Sequence, residues 1–391
     1  MIKEIRQKYN SDFTPEAYHN FINSVWSKNN NKIDFRLCET PFFFDDNLKD
    51  KLIDSCNNII DQLKTESFQK YALNAVPEEF KIANEDSHPI FLQIDFGICK
   101  DENGELVPKL IELQGFPSLY AFQAYLDIEI RNHFKIDDRL KTFFNNYNFT
   151  SYIDLLKKTI LGSSSRENVI LLELEPHNQK TRIDFYLTKE YIGIEPVCIT
   201  EIIQEGNSLF YIKDQKKIRI ERIYNRVIFD ELERKNINIP FDYKSNLNVY
   251  WVGHPNWFFK ISKHTLPFLK GESVPNCYFL SEVNLDDIDL SKYVLKPLYS
   301  FAGAGVKVDL TEDDLTSIEN KQNYLLQEKV EYAEIIDTPT GFSKAEVRMM
   351  FIWNDEPILV NNLVRTSKGK MIGVDFNKDK DWIGASIGYH F

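Results

Sequence analysis

The chain has 391 residues, 43% hydrophobic and 14% aromatic, which suffices for two or three domains with shared cores and excludes a disordered chain. With 47 basic against 59 acidic residues, the net charge of −12 excludes a general nucleic-acid or anionic-membrane surface, so an anionic ligand must be met by a local basic site. Cys38, Cys56, Cys99, Cys198 and Cys277 form no C-x-x-C pair and the histidines no zinc-type cluster, the pattern of buried thiols in a reducing compartment.

The first residues alternate charged and apolar types without the apolar stretch of a secretory signal, and apolar runs such as 169–172 are too short to cross a bilayer. A cytoplasmic protein is the expectation. Residues 1–88 read as helical. Thr14 before Pro15 and Glu16 starts one helix, and Leu52, Ile53, Cys56, Ile59, Ile60 and Leu63 give 47–63 a helical period. At His88 the texture changes: 91–98 alternates as a strand, 101–104 is a turn, and 106–113 is the second arm of a hairpin.

Residues 168–174, 179–191 and 195–199 read as a β-α-β unit, and 208–227 as further strands. Helices are expected around 265–269 and 311–319, and strands at 293–295, 324–329, 346–353 and 357–364. Four regions follow: a helical 1–88, a hairpin with helices at 89–160, a smaller Rossmann-like α/β domain at 161–247, and a final 248–391.

Tyr293, Val294 and Leu295 place Lys296 where a strand meets a loop of small residues, 300–305. A lysine there is a compact charge for a polyphosphate, and Gly303 and Gly305 let backbone N–H groups approach phosphate oxygens. Val306, Val308 and Leu310 then alternate like the return strand of a flap. Neither a P-loop nor a dinucleotide-fold pattern is present, and an ordinary hairpin turn fits the same residues.

Downstream, the strand carrying Gln327, Glu328, Lys329 and Val330 can offer backbone groups to an adenine edge, and Glu334 can accept from a ribose; a core strand with a solvated acidic end is the alternative. In the hairpin, Asp95 and Glu112 lie on neighbouring strands, and Glu112 and Gln114 share a face. Two carboxylates and an amide oxygen suit Mg²⁺, although solvated acidic positions would look the same. Lys260 and Lys263 form a basic segment. Arg348 and Arg365, on late strands, can clamp a transferring phosphoryl group or fill an ordinary ion pair.

Taken in order, these segments resemble the ATP-grasp superfamily, in the permuted arrangement of the glutathionylspermidine synthase ligase domain, over about residues 90–365. The resemblance implies an α/β (α+β) ATP-grasp fold with mixed sheets in which the metal-ligand hairpin precedes the lysine segments. It assigns Asp95, Glu112 and Gln114 to Mg²⁺, Lys263, Lys296, Ser300, Gly303 and Gly305 to the ATP phosphates, and 326–328 to the adenine hinge. Phe301 and Ala302 stand where the family flap carries Arg and Glu, and Gln114 stands for the usual Asn.

The implied reaction joins a small-molecule or peptide carboxylate to an amine or thiol through an acylphosphate, with ATP and Mg²⁺ and with Arg348 and Arg365 stabilising charge. A homodimer is allowed for. A nucleotide-binding relative without catalysis and a small-molecule phosphotransferase are the alternatives.

Overall fold

The hairpin expected at 91–113 forms, as Phe91–Lys100 and Leu106–Gln114, and it sits inside the largest sheet. Phe91–Lys100 pairs on its other side with Gly341–Trp353, which pairs with Pro357–Ser367, which pairs with Gly384–Ser386, every pairing antiparallel. The computed structural model describes residues 2–30, 32–299, 305–370, 372, 377 and 379–391.

Side-chain alternation divides this sheet into two faces. Leu92, Ile94, Val347 and Met349 point to one face and pack against Leu48, Leu52, Cys56 and Ile59. Those four lie along the helix Asp46–Leu63, whose first turn is capped by Asp45 accepting from the Leu48 amide at 3.1 Å. At roughly 1.5–3 kcal/mol for each large apolar side chain buried, this packing fixes which face of the hairpin is left for polar residues. The other face is apolar at one end, where Phe91, Met350, Ile352 and Leu363 join Val169, Leu171, Phe185 and Tyr224. Towards the other end it carries Gln93, Asp95, Glu346 and Arg348.

The β-α-β expectation holds: Val169–Glu173 and Glu195–Cys198 pair in parallel, joined through the helix Arg182–Ile192. Arg222–Asn225 and Tyr250–Val252 extend this parallel sheet, so its last strand lies beyond the expected limit at 247. Ile203–Glu205, Ser208–Lys213 and Lys216–Ile220 form a separate antiparallel meander.

The N-terminal helices are tied to the end of the chain. Phe42–Phe43 pairs in parallel with Gly388–Tyr389, and Leu37 bridges Ala385. All five cysteines are buried free thiols. Among the described residues no helix is long and apolar enough to cross a membrane.

Two expected elements differ. Instead of a helix at 265–269 there is a single turn, Lys263–Thr265, after the short helix Asn256–Lys260. Ser262 caps that turn by accepting from the His264 amide at 3.2 Å, and Pro267 has no N–H with which to continue it. The return strand at 306–310 reduces to one bridge, Leu295 with Lys307, because the chain then turns into the Thr311-capped helix Glu312–Thr316 and the Lys307 ammonium pairs with Asp314 at 2.8 Å.

Candidate functional site

Register decides the site. Asp95 lies opposite both Glu112 and Arg348, Gln93 opposite Gln114, and Glu346 opposite Arg365. Residues directly across a ladder share a face, as do residues two apart on one strand, so all seven side chains belong to one face.

Asp95 is fully buried and takes a bidentate pair from Arg348, whose Nε and Nη2 donate to Oδ1 and Oδ2 at 2.6 Å each. Arg348 Nη1 donates to Gln93 Oε1 at 3.0 Å, and Gln93 Nε2 donates to the Ser118 carbonyl at 2.8 Å. Arg365 Nη2 donates to Asp95 as well and pairs with Glu346. Glu346 in turn accepts from the Tyr332 hydroxyl at 2.8 Å. Burial raises the Glu346 carboxyl while Arg365 opposes it. Burial lowers the Arg365 guanidinium, but Glu346, Asp95 and Glu112 outweigh that and hold it charged.

The lysine segments arrive above this face. Lys296, in the strand Tyr293–Pro297, donates to the Ile111 carbonyl at 3.2 Å, next to Glu112. Lys263 Nζ lies 3.9 Å from Glu112 Oε2. A close approach permits this: a Cβ on Gly115 would stand 2.5 Å from the Trp257 carbonyl oxygen, and the Gly115 amide donates to the Ile261 carbonyl at 3.0 Å. Lys260 turns elsewhere, pairing with Glu85 and lying over the Trp257 ring at 5.1 Å.

Burial lowers the Lys263 and Lys296 ammonium groups, with Glu112 opposing. Burial pushes the Glu112 carboxyl up, but Lys263, Arg365, Arg348 and Lys296 together outweigh it and hold it at about 2.

The strand expected to lead into the adenine hinge is paired on both sides. Tyr324–Glu328 is the centre strand of a three-stranded sheet, between Cys277–Phe279 and Tyr293–Pro297, not an exposed edge. The Glu328 and Lys329 amides already donate to the Asn276 and Lys292 carbonyls at 2.8 and 2.7 Å. Gln327 is buried and donates to the Leu110 carbonyl at 3.0 Å. Beyond the strand, Val330 and Tyr332 lean on the hairpin at Gly97, where a Cβ would come within 3.0 and 2.8 Å of them, and Glu334 is exposed. Gly305 has φ of +73°, while Ser300 and Gly303 lie outside the described residues.

A three-oxygen magnesium set does not fit these side chains. Both Asp95 oxygens are engaged by guanidinium groups, and Gln114 directs its amide nitrogen, not its oxygen, at Glu112 Oε1, 2.9 Å away. Among the described residues no three carboxylate, imidazole or thiol side chains gather as a metal site. In this arrangement the Asp95 carboxylate is occupied by Arg348 and Arg365.

Gln93, Tyr332, Glu346 and Arg226 join these surroundings without belonging to a motif of the sequence. Glu346 could have been found from its spacing of two before Arg348. Arg226 closes the parallel strand Arg222–Asn225, and ligands of such sheets bind outside the carboxyl ends of the strands. It is 5% exposed, its guanidinium carbon lies 5.0 Å from the Phe116 ring centre and 5.4 Å from that of Phe185, and its Nε and Nη1 meet no hydrogen-bond acceptor among the described residues. Burial pushes the neighbouring Glu173 carboxyl up to about 7, against the pull of Arg226. A cavity of about 490 Å³ opens elsewhere, lined by Pro297, Tyr299, Asn320 and Tyr324, and holds none of the clustered charges.

The mixed antiparallel and parallel sheets form an α+β fold shared with a glutathione synthetase-like protein. It is similar to the apo structure of a glutathione synthetase-like effector from Globodera pallida, at 13% identity and a TM-score of 0.60, over 96% of each chain. A protein provisionally named gamma-glutamylcysteine synthetase, from Methylobacillus flagellatus KT, matches at 14% identity and a TM-score of 0.39, over 84% of this chain and 82% of its own. No family model and no curated protein matches the sequence.

Proposed function

We propose that the chain is an ATP-consuming ligase that joins a small-molecule or peptide carboxylate to an amine or a thiol. The observation that supports this reading is the meeting of two distant segments: Lys296 donates to the carbonyl beside Glu112, on the face that carries Arg348 and Arg365. Lys263 and Lys296 hold the ATP phosphates as point charges. Arg365 Nε, buried without an acceptor among the described residues, is a donor free for a phosphoryl oxygen. Arg226, with donors unmatched among the described residues, holds the substrate carboxylate in this reading.

In the first step a substrate carboxylate oxygen bonds to the γ-phosphorus as the P–O bond to ADP breaks, giving an acylphosphate. The amine nitrogen then attacks the acyl carbon, phosphate leaves with the C–O electron pair, and the nitrogen loses a proton. The protein supplies positioning and fixed positive charge, so no side-chain nucleophile is required. The test is ADP release with a panel of acids and amines. Turnover that persists unchanged in Lys296→Ala removes that residue from the site.

A second reading, a nucleotide-binding relative without ligase chemistry, is favoured by the two arginines on Asp95 and by Phe301 and Ala302 at the family's charged flap positions. A rise in Tm with ATP, without ADP release for any acid and amine pair, selects it.

A further inference from the structure

We propose that this site takes a polyphosphate without a divalent cation, with Arg348, Arg365, Lys263 and Lys296 supplying the charge and Asp95 serving as the positioning residue for the two guanidinium groups. The inference rests on the nucleotide reading above.

Three observations carry it. The first is access. Asp95 is fully buried behind Arg348 and Arg365, so a cation reaching it has to displace a bidentate guanidinium and a second one. The second is charge. Among the described residues the face and its lysines bring together the cations Lys263, Lys296, Arg348 and Arg365 against the carboxylates Asp95, Glu112 and Glu346, which leaves an excess of positive charge. A bare dication is repelled by that balance and a polyanion is drawn to it. The third is donor geometry. Arg365 keeps a buried Nε with no acceptor among the described residues, an N–H free for a phosphate oxygen. Planar guanidinium forks match phosphate oxygens and are always charged, which is the work a metal performs in a cation-poor site.

The experiment is calorimetric titration of the full chain with ATP, once in EDTA and once in excess Mg²⁺, together with Mn²⁺ titration of the protein alone followed by electron paramagnetic resonance. The expected result is ATP binding in EDTA as tight as in Mg²⁺ or tighter, with all Mn²⁺ free. Binding tighter by about tenfold or more in Mg²⁺, a difference well outside titration error, overturns the inference while leaving the nucleotide reading in place. No binding in either condition removes both. Asp95→Asn separates the two roles of that residue: a positioning residue weakens ATP binding in EDTA as well, whereas a metal ligand weakens it only in Mg²⁺. The unsubstituted comparison stands by itself if the variant fails to fold.

Discussion

Glu112 and Glu173 are carboxylates pushed in opposite directions by their surroundings, and each leaves a signature in stability against pH. Burial raises Glu112, but four cations outweigh it and hold it at about 2 against an ordinary 4.5. Its ionised form is therefore favoured by folding, and its contribution is complete above pH 4.5 and lost as pH falls through 2. Glu112→Gln should thus lower Tm most near neutrality and converge on the parent towards pH 2; a Tm difference independent of pH would contradict this. Burial raises Glu173 to about 7, so folding favours its protonated form. That contribution is complete below 4.5 and lost as pH rises through 7, and Glu173→Gln should gain in Tm relative to the parent over that window. Lys296 is a buried cation lowered by desolvation, so Lys296→Met should bind ATP at least about tenfold more weakly with no loss of Tm, because an apolar chain of similar length removes a desolvated charge.

Among elements, the hairpin was the most legible part of the sequence because a period of two is a local signal. Its alternation predicted both the strand pairing and that Glu112 and Gln114 share a face, and Lys296 was found at the end of an apolar run for the same reason. What was not legible depends on partners far along the chain. Asp95 pairs with Arg348 across 253 positions, and no spacing rule says that a carboxylate there meets a guanidinium instead of a metal. The pairing of Tyr324–Glu328 on both sides was not legible either, because Cys277–Phe279, which covers it, is too short to announce itself. Gly97 is a close joint between the hairpin and the segment 330–332. Gly97→Ala places a Cβ 2.8 Å from Tyr332, which has to move and give up its hydrogen bond to Glu346. A loss of about 1–3 kcal/mol in denaturant unfolding is expected, with the helical and strand signal of the fold retained; unchanged stability would show that the 330–332 segment does not rest on the hairpin.

Over the whole molecule, one sheet performs two tasks. Its apolar face and the helix Asp46–Leu63 share a core, while half of its other face packs on the parallel-sheet domain and half is charged. The N-terminal segment is joined to the end of the chain, since Phe42–Phe43 pairs in parallel with Gly388–Tyr389. That long-range closure was invisible to a reading of local periods. A crystal structure of the chain with a non-hydrolysable ATP analogue tests whether a polyphosphate binds on the charged half of the sheet. A γ-phosphate within hydrogen-bond distance of Lys296 and Arg365 is expected; a nucleotide seated instead in the cavity beside Tyr299 and Tyr324, with the charged face empty, would overturn that binding mode.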